Sequence, residues 1–231
     1  MLNTETRQTL GSIQSITNSA IINYPITTIS NPSKDVLGNI KLDKLEDTPF
    51  DEFGIFDLSS FLGALSILEE PTITLENGVI KASDANSAID FITSSPAILG
   101  DFTTSPKNIT STVAAPSVVE VVLNTEIMGK LRKGVSAFKT LKDVFIVKEG
   151  ETVYLKTGNK ESFSRGNNSY KMTLDPSVNE GKDFELAIPI ENLLSLPSMD
   201  YDLKIKYNEA RDAHRVVMSN DIFDFVLSVK V

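Results

Sequence analysis

The stretch FDLSSFLGALSILEE, residues 56–70, carries a start, a period and a stop for one helix. Asp57 stands where an N-cap accepts a backbone N–H. Phe61, Leu62, Leu65 and Leu68 recur at the spacing of one buried face. Pro71 follows at once and cannot continue the helix. Further on, ITLENGVIKAS places Asn77-Gly78 between two alternating runs, the sequence of a type I′ hairpin, whose two central residues both need positive φ. One helix followed by an antiparallel hairpin is therefore the predicted unit, and the rest of the chain repeats it.

Upstream, a helix is predicted over 4–18, with Thr4 as its cap and Leu10, Ile13 and Ile16 as its apolar stripe. Downstream, residues 93–117 (TSSPAILGDFTTSPKNITSTVAAPS) hold three prolines, many hydroxyl residues and little periodicity. They read as a linker or a strand crossing between domains. Beyond them a third helix is predicted over 125–141, capped by Asn124. Its Ile127, Leu131, Val135 and Phe138 fall within about 80° of one another on a wheel of 100° per residue. A fourth, short helix is predicted over 190–196, between Pro189 and Pro197. Glu149-Gly150 in VFIVKEGETVYLK is a second hairpin signal, and IFDFVLSVKV alternates as a last strand with Phe223, Phe225, Leu227 and Val229 on one side. The expected fold class is α+β, with two similar domains, 1–108 and 109–231, each setting two helices against antiparallel sheets.

Composition excludes several function classes. With 231 residues and 41% apolar content the chain can bury a core, and no window has the apolar run of a membrane span. The N-terminus lacks the pattern of a secretory signal, so a soluble, cytosolic protein is expected. The absence of cysteine removes disulfides, thiolate metal sites and thiol nucleophiles. The one histidine, His214, has no nucleophile elbow or metal-binding motif around it and reads as an ordinary surface or loop residue. The glycines in TGNKESFSRGNNS lack the ending of a phosphate-binding loop and mark a mobile hairpin tip. The acids of DKLEDTPFDEFGIFD (residues 43–57) read as a solvated surface. No cofactor or metal is expected.

One feature stands against the net charge of −9: between Ile127 and Lys142 there are five bases and no acid. On the third helix Lys130, Arg132, Lys133 and Lys139 oppose or flank the apolar stripe. Such a face can neutralise phosphates without reading bases. Charge alone favours the plainer reading, a helix kept soluble by its lysines. Gly129 and Gly134 each weaken that helix by about 1 kcal/mol relative to Ala.

The stretch at 56–70, the following NGVIKASDANSAIDF at 77–91 and VKEG at 147–150 resemble the sliding clamp of T4-type bacteriophages, the processivity factor of the phage DNA polymerase. The N-terminal helix followed by TNSAI at 17–21 fits the same pattern. The resemblance implies a homotrimeric ring of two-domain subunits around duplex DNA, with basic helices inside and an acidic outside. It implies no enzymatic activity. The expected DNA-facing residues are Arg7, Lys130, Arg132, Lys133 and Lys139, while the second and fourth helices offer no base. The implied partners are the DNA polymerase, an ATP-driven clamp loader and phage late-transcription factors, in the cytoplasm of an infected bacterial host. By position, Ile98, Leu99, Ile109 and Val113 would line a pocket for a partner's apolar peptide. The alternative is a phage structural or assembly protein without a DNA role. A single-strand binder is disfavoured, because there is no tryptophan and the bases are not interleaved with aromatics.

Overall fold

The computed structural model describes residues 2–45, 50–99, 106–137, 141–158 and 170–230. The chain forms two compact units: Met1–Thr110 with Asp221–Phe223, and Ser111–Asn220 with Asp224–Val231.

In the first unit the order is α1 (Thr4–Ser12), β1 (Ala20–Ile22), β2 (Ile26–Ser30), β3 (Val36–Lys41), β4 (Phe53–Ile55), α2 (Leu58–Leu65), β5 (Thr72–Glu76), β6 (Val79–Ser83), β7 (Ala88–Ile92) and α3 (Pro96–Leu99). Here β1 pairs with β4, β2 with β3, and β5, β6 and β7 form an antiparallel meander, so β7 is an end strand. Asn77 and Gly78 both take positive φ, 52° and 77°, as the hairpin turn requires. Helices α1 and α2 are in contact, and Leu10 of α1, Ile13 just after it, and Leu58 and Phe61 of α2 are all fully buried. Full burial of one such side chain stabilises by about 1.5–3 kcal/mol. Asp57 caps α2 as expected, accepting the Ser60 N–H at 2.9 Å, but Leu62 is only half-buried. The cap of α1 is Asn3 and not Thr4: the Asn3 Oδ1 accepts the Thr6 N–H at 2.8 Å. Asn3 also donates to the Leu45 carbonyl, a tie across the unit that Thr4 does not make.

The described residues of 93–117 do not form one strand crossing between the units. They hold α3 and α4 (Pro106–Ala114), and the division between the units falls inside α4. Pro96 and Pro106 each occupy the first helical position, where a missing N–H costs nothing and a fixed φ favours the helix. Prolines with the look of breakers thus act as starters.

The second unit follows with β8 (Val119–Leu123), α5 (Thr125–Ala137), β9 (Asp143–Glu149), β10 (Thr152–Gly158), β11 (Lys171–Leu174), β12 (Val178–Asn179), β13 (Phe184–Pro189), α6 (Ile190–Leu194), β14 (Tyr201–Asn208), β15 (Ala213–Ser219) and β16 (Phe223–Leu227). One sheet runs β11-β10-β9-β13, and another places β12, β8, β14, β15 and β16 side by side. Strands β9 and β10 turn at Gly150, φ 58°. Strand β16 departs from alternation: all five residues are buried, Asp224 and Val226 included, so both of its faces are covered. The expected loop tip at 159–169 lies outside the described residues.

Candidate nucleic-acid interface

The basic helix α5 begins where Asn124 predicts. The Asn124 Oδ1 accepts the Ile127 N–H at 2.9 Å, and Asp200 accepts the Thr125 N–H at 2.6 Å. Two carboxylate or amide oxygens thereby satisfy N–H groups that the first turn leaves open. The buried face is narrower than expected: Met128 and Leu131 are fully buried, while Ile127 and Val135 are half-buried and Phe138 lies outside the described residues. Met128 is not one of the four residues of the expected stripe, although its spacing of three from Leu131 is legible in the sequence.

Lys130 and Lys133 both stand two residues beyond a buried one, about 200° around the helix, so both project to solvent. Lys130 meets Glu126 one turn earlier, Nζ to Oε1 at 2.6 Å. That hydrogen bond raises the lysine pKa and lowers the glutamate pKa. Such an exposed pair is weak and screened by salt, so releasing Lys130 to a phosphate loses little. Lys133 is exposed.

Arg132 departs from the expectation. Its guanidinium turns onto α6, Nη1 donating to the Leu194 carbonyl and Nη2 to the Leu196 carbonyl, each at 3.1 Å. The Leu194 carbonyl closes α6, among those that a helix end leaves without an N–H partner, and the Leu196 carbonyl lies two residues beyond it. The planar fork matches two neighbouring oxygens, which removes Arg132 from the solvent-facing row. Arg7 is half-buried on α1 and donates to the Thr4 hydroxyl at 3.0 Å. Lys139 lies outside the described residues.

The four residues expected to form a peptide pocket do not share one environment. Leu99 and Ile109 are buried, Val113 is half-buried and Ile98 is 78% exposed. Leu99 packs so closely on β4 that a Cβ added to Gly54 would lie 2.6 Å from its Cδ1.

Among the described residues no group of three His, Asp or Glu side chains could hold a metal ion, and no helix is long and apolar enough to cross a membrane. His214 is on β15 and not in a loop, between the rings of Tyr207 and Phe184 at 4.8 and 5.1 Å. Burial lowers its pKa.

No protein-family profile matches the sequence, and no curated protein matches it. Solved structures do. Proliferating Cellular Nuclear Antigen from Entamoeba histolytica superposes with a TM-score of 0.70 at 12% identity, over 98% of this chain and 95% of that one. The Thermococcus kodakaraensis PCNA gives 0.65 at 15% identity, over 98% and 96%. The A. fulgidus PCNA, solved with the C-terminal region of FEN-1 bound, gives 0.65 at 12% identity, over 97% and 94%. These structures are sliding clamps, and the chain has their fold: two α+β domains of helices and antiparallel sheets.

Proposed function

We propose that this chain is the subunit of a DNA sliding clamp of the T4-phage type: a homotrimeric ring that encircles duplex DNA and tethers the replicative polymerase. The observation that carries the reading is the pair of solvent-facing lysines, Lys130 and Lys133, on a helix of a clamp-fold chain that is otherwise strongly acidic. Enclosure supplies retention in such a ring, so contacts with DNA need only be weak, backbone-directed and indifferent to sequence. Long lysines on a regular helix meet phosphates in that way. The acidity elsewhere repels DNA from the outside of the ring. The protein performs no chemistry of its own. Its partners are the polymerase, an ATP-driven loader and late-transcription factors, in the cytoplasm of an infected bacterium. Because Arg132 is engaged with α6, the cationic face of α5 comprises Lys130 and Lys133 among the described residues, and Lys139 lies outside them.

Two end strands support closure into a ring. Strand β7 carries the exposed Asp90, and β11 carries the exposed Lys171, which lies directly across from Lys156 on β10. Head-to-tail pairing of β7 on β11 would use a different edge on each subunit, as a closed ring requires. Changing Lys130 and Lys133 together to Glu tests the DNA face. The variant keeps the mass of the wild-type assembly by light scattering and loses retention on loaded circular DNA. Unchanged retention would return the lysines to a role in solubility.

A further inference from the structure

The first unit carries a groove of about 670 Å³, lined from β4, from the β5–β6 turn and from the chain that follows β7. Ile92 of β7 stands directly across from Val79 of β6 and is, at 80%, the most exposed large apolar side chain among the described residues. Leu75 and Val79, both half-buried, line the groove with it, as does Phe53, which is buried on β4. Backbone bonds fix the wall past β7. The Gly54 N–H donates to the Ser94 carbonyl at 3.1 Å and the Ser94 N–H to the Gly54 carbonyl at 2.8 Å, while the Thr93 N–H and hydroxyl both reach the Gly78 carbonyl, at 2.9 and 2.7 Å. A wall already ordered spares a ligand that cost. The rim is acidic: Asp51 and Glu52 are both exposed, and no Lys, Arg or His is among the lining residues. One Glu52 oxygen, Oε2, accepts from the Asn23 amide at 3.1 Å, and Asp51 has no partner among the described residues. An exposed apolar strip with a polar rim marks an interaction surface.

We infer that this groove docks an extended segment of a partner protein that is both basic and apolar, with an aliphatic side chain seated on Val79 and Ile92 and a neighbouring arginine or lysine meeting Asp51 and Glu52. Charge complementarity selects that occupant. Two acids with no base beside them repel an acidic segment, and a second copy of this chain, net charge −9, is on balance an acidic partner. The apolar strip supplies affinity, while the rim carboxylates supply selectivity and speed of encounter. The seat uses side chains on the face of the meander, whereas pairing along the edge of β7 uses its backbone. It is separate from the lysines of α5 and does not require that the chain encircle DNA.

The test is binding of a labelled peptide of alternating arginine and valine to the full-length protein, followed by fluorescence polarisation over a series of salt concentrations. The wild type is expected to bind it, and not to bind the same peptide with glutamate for arginine. Asp51→Asn with Glu52→Gln is expected to weaken binding about three- to tenfold at low salt, a difference that shrinks as salt rises. Ile92→Thr keeps the branched shape that suits a strand and is expected to weaken binding about three- to tenfold at every salt, through lost apolar contact. Glu69→Gln with Glu70→Gln removes two acids outside the groove and is expected to bind as the wild type does. An equal loss in that control pair shows general attraction to an acidic protein and overturns the inference. Wild-type affinity in both groove variants overturns it as well, as does a wild type that fails to bind the peptide. If Ile92→Thr leaves peptide binding intact but changes the mass of the assembly by light scattering, the strip is a contact between copies and not a docking seat.

Discussion

The Arg132 guanidinium spans the Leu194 and Leu196 carbonyls with one rigid group, and Lys in its place reaches only one of them. Arg132→Ala is expected to lower unfolding free energy in urea by about 1.5–3 kcal/mol, the usual worth of hydrogen bonds made by a charged group. Arg132→Lys is expected to recover part of that, and neither is expected to change DNA retention beyond the loss of folded protein. If Arg132→Ala left stability unchanged and weakened DNA binding, the residue would belong to the interface after all. Charge and spacing made Arg132 legible as a base but could not show which way it turns, because that depends on α6, more than fifty residues later in the chain. His214 gives a second test. Its pKa lies below the ordinary 6.5 because burial disfavours the charged ring, with Asp212 opposing in part. The folded chain thus binds fewer protons than the unfolded chain just below that pH. This contribution to stability is complete above 6.5 and is lost as pH falls through 6.5 towards the folded value. The urea midpoint is expected to drop between about pH 7.5 and about pH 5.5, and His214→Gln to shrink the drop. An equal drop in the variant would assign it to other groups.

Within α5 the two glycines have opposite meanings. A Cβ on Gly134 would lie 2.7 Å from the Tyr170 ring, whereas one on Gly129 would meet nothing within 4 Å. Tyr170 is fixed there by exchange with Thr157: the Tyr170 N–H donates to the Thr157 hydroxyl at 3.0 Å, and the Thr157 N–H donates to the Tyr170 carbonyl at 2.8 Å. Gly129→Ala is expected to stabilise by about 1 kcal/mol, the full helix-propensity difference. Gly134→Ala is expected to destabilise, because the ring must move. Thermal unfolding of the two variants distinguishes them, and equal gains from both would show that the ring does not press on the helix. Helix α2 and the hairpin after it were readable because cap, period, proline and Asn-Gly are all local. Strand β16 was not, since whether alternate or successive residues are buried depends on what covers its second face. Helices α3 and α4 were hidden because a proline in a sequence reads equally as the end of a helix or as the start of one, and only the structure shows which side of Pro96 and Pro106 is helical.

At the scale of the whole molecule, the division into two units with recurring helices and hairpins was legible from pattern, and the clamp fold follows that division. The cationic face of α5 was legible only in part. Lys130 and Lys133 project as the sequence suggested, while the expected peptide-pocket residues separate into buried Leu99 and Ile109 and exposed Ile98. Apolar character alone cannot tell a docking side chain from a core one. If the subunits close head to tail, light scattering is expected to report the mass of three 25.3 kDa chains in the absence of DNA. The central claim is retention by enclosure, and the measurement that addresses it most directly is release after linearisation. The protein is loaded onto nicked circular duplex, freed of unbound material and followed after a single cut. The account predicts stable association with the circle and prompt release once the DNA has ends. Protein that remains on the linear DNA as long as on the circle would contradict it.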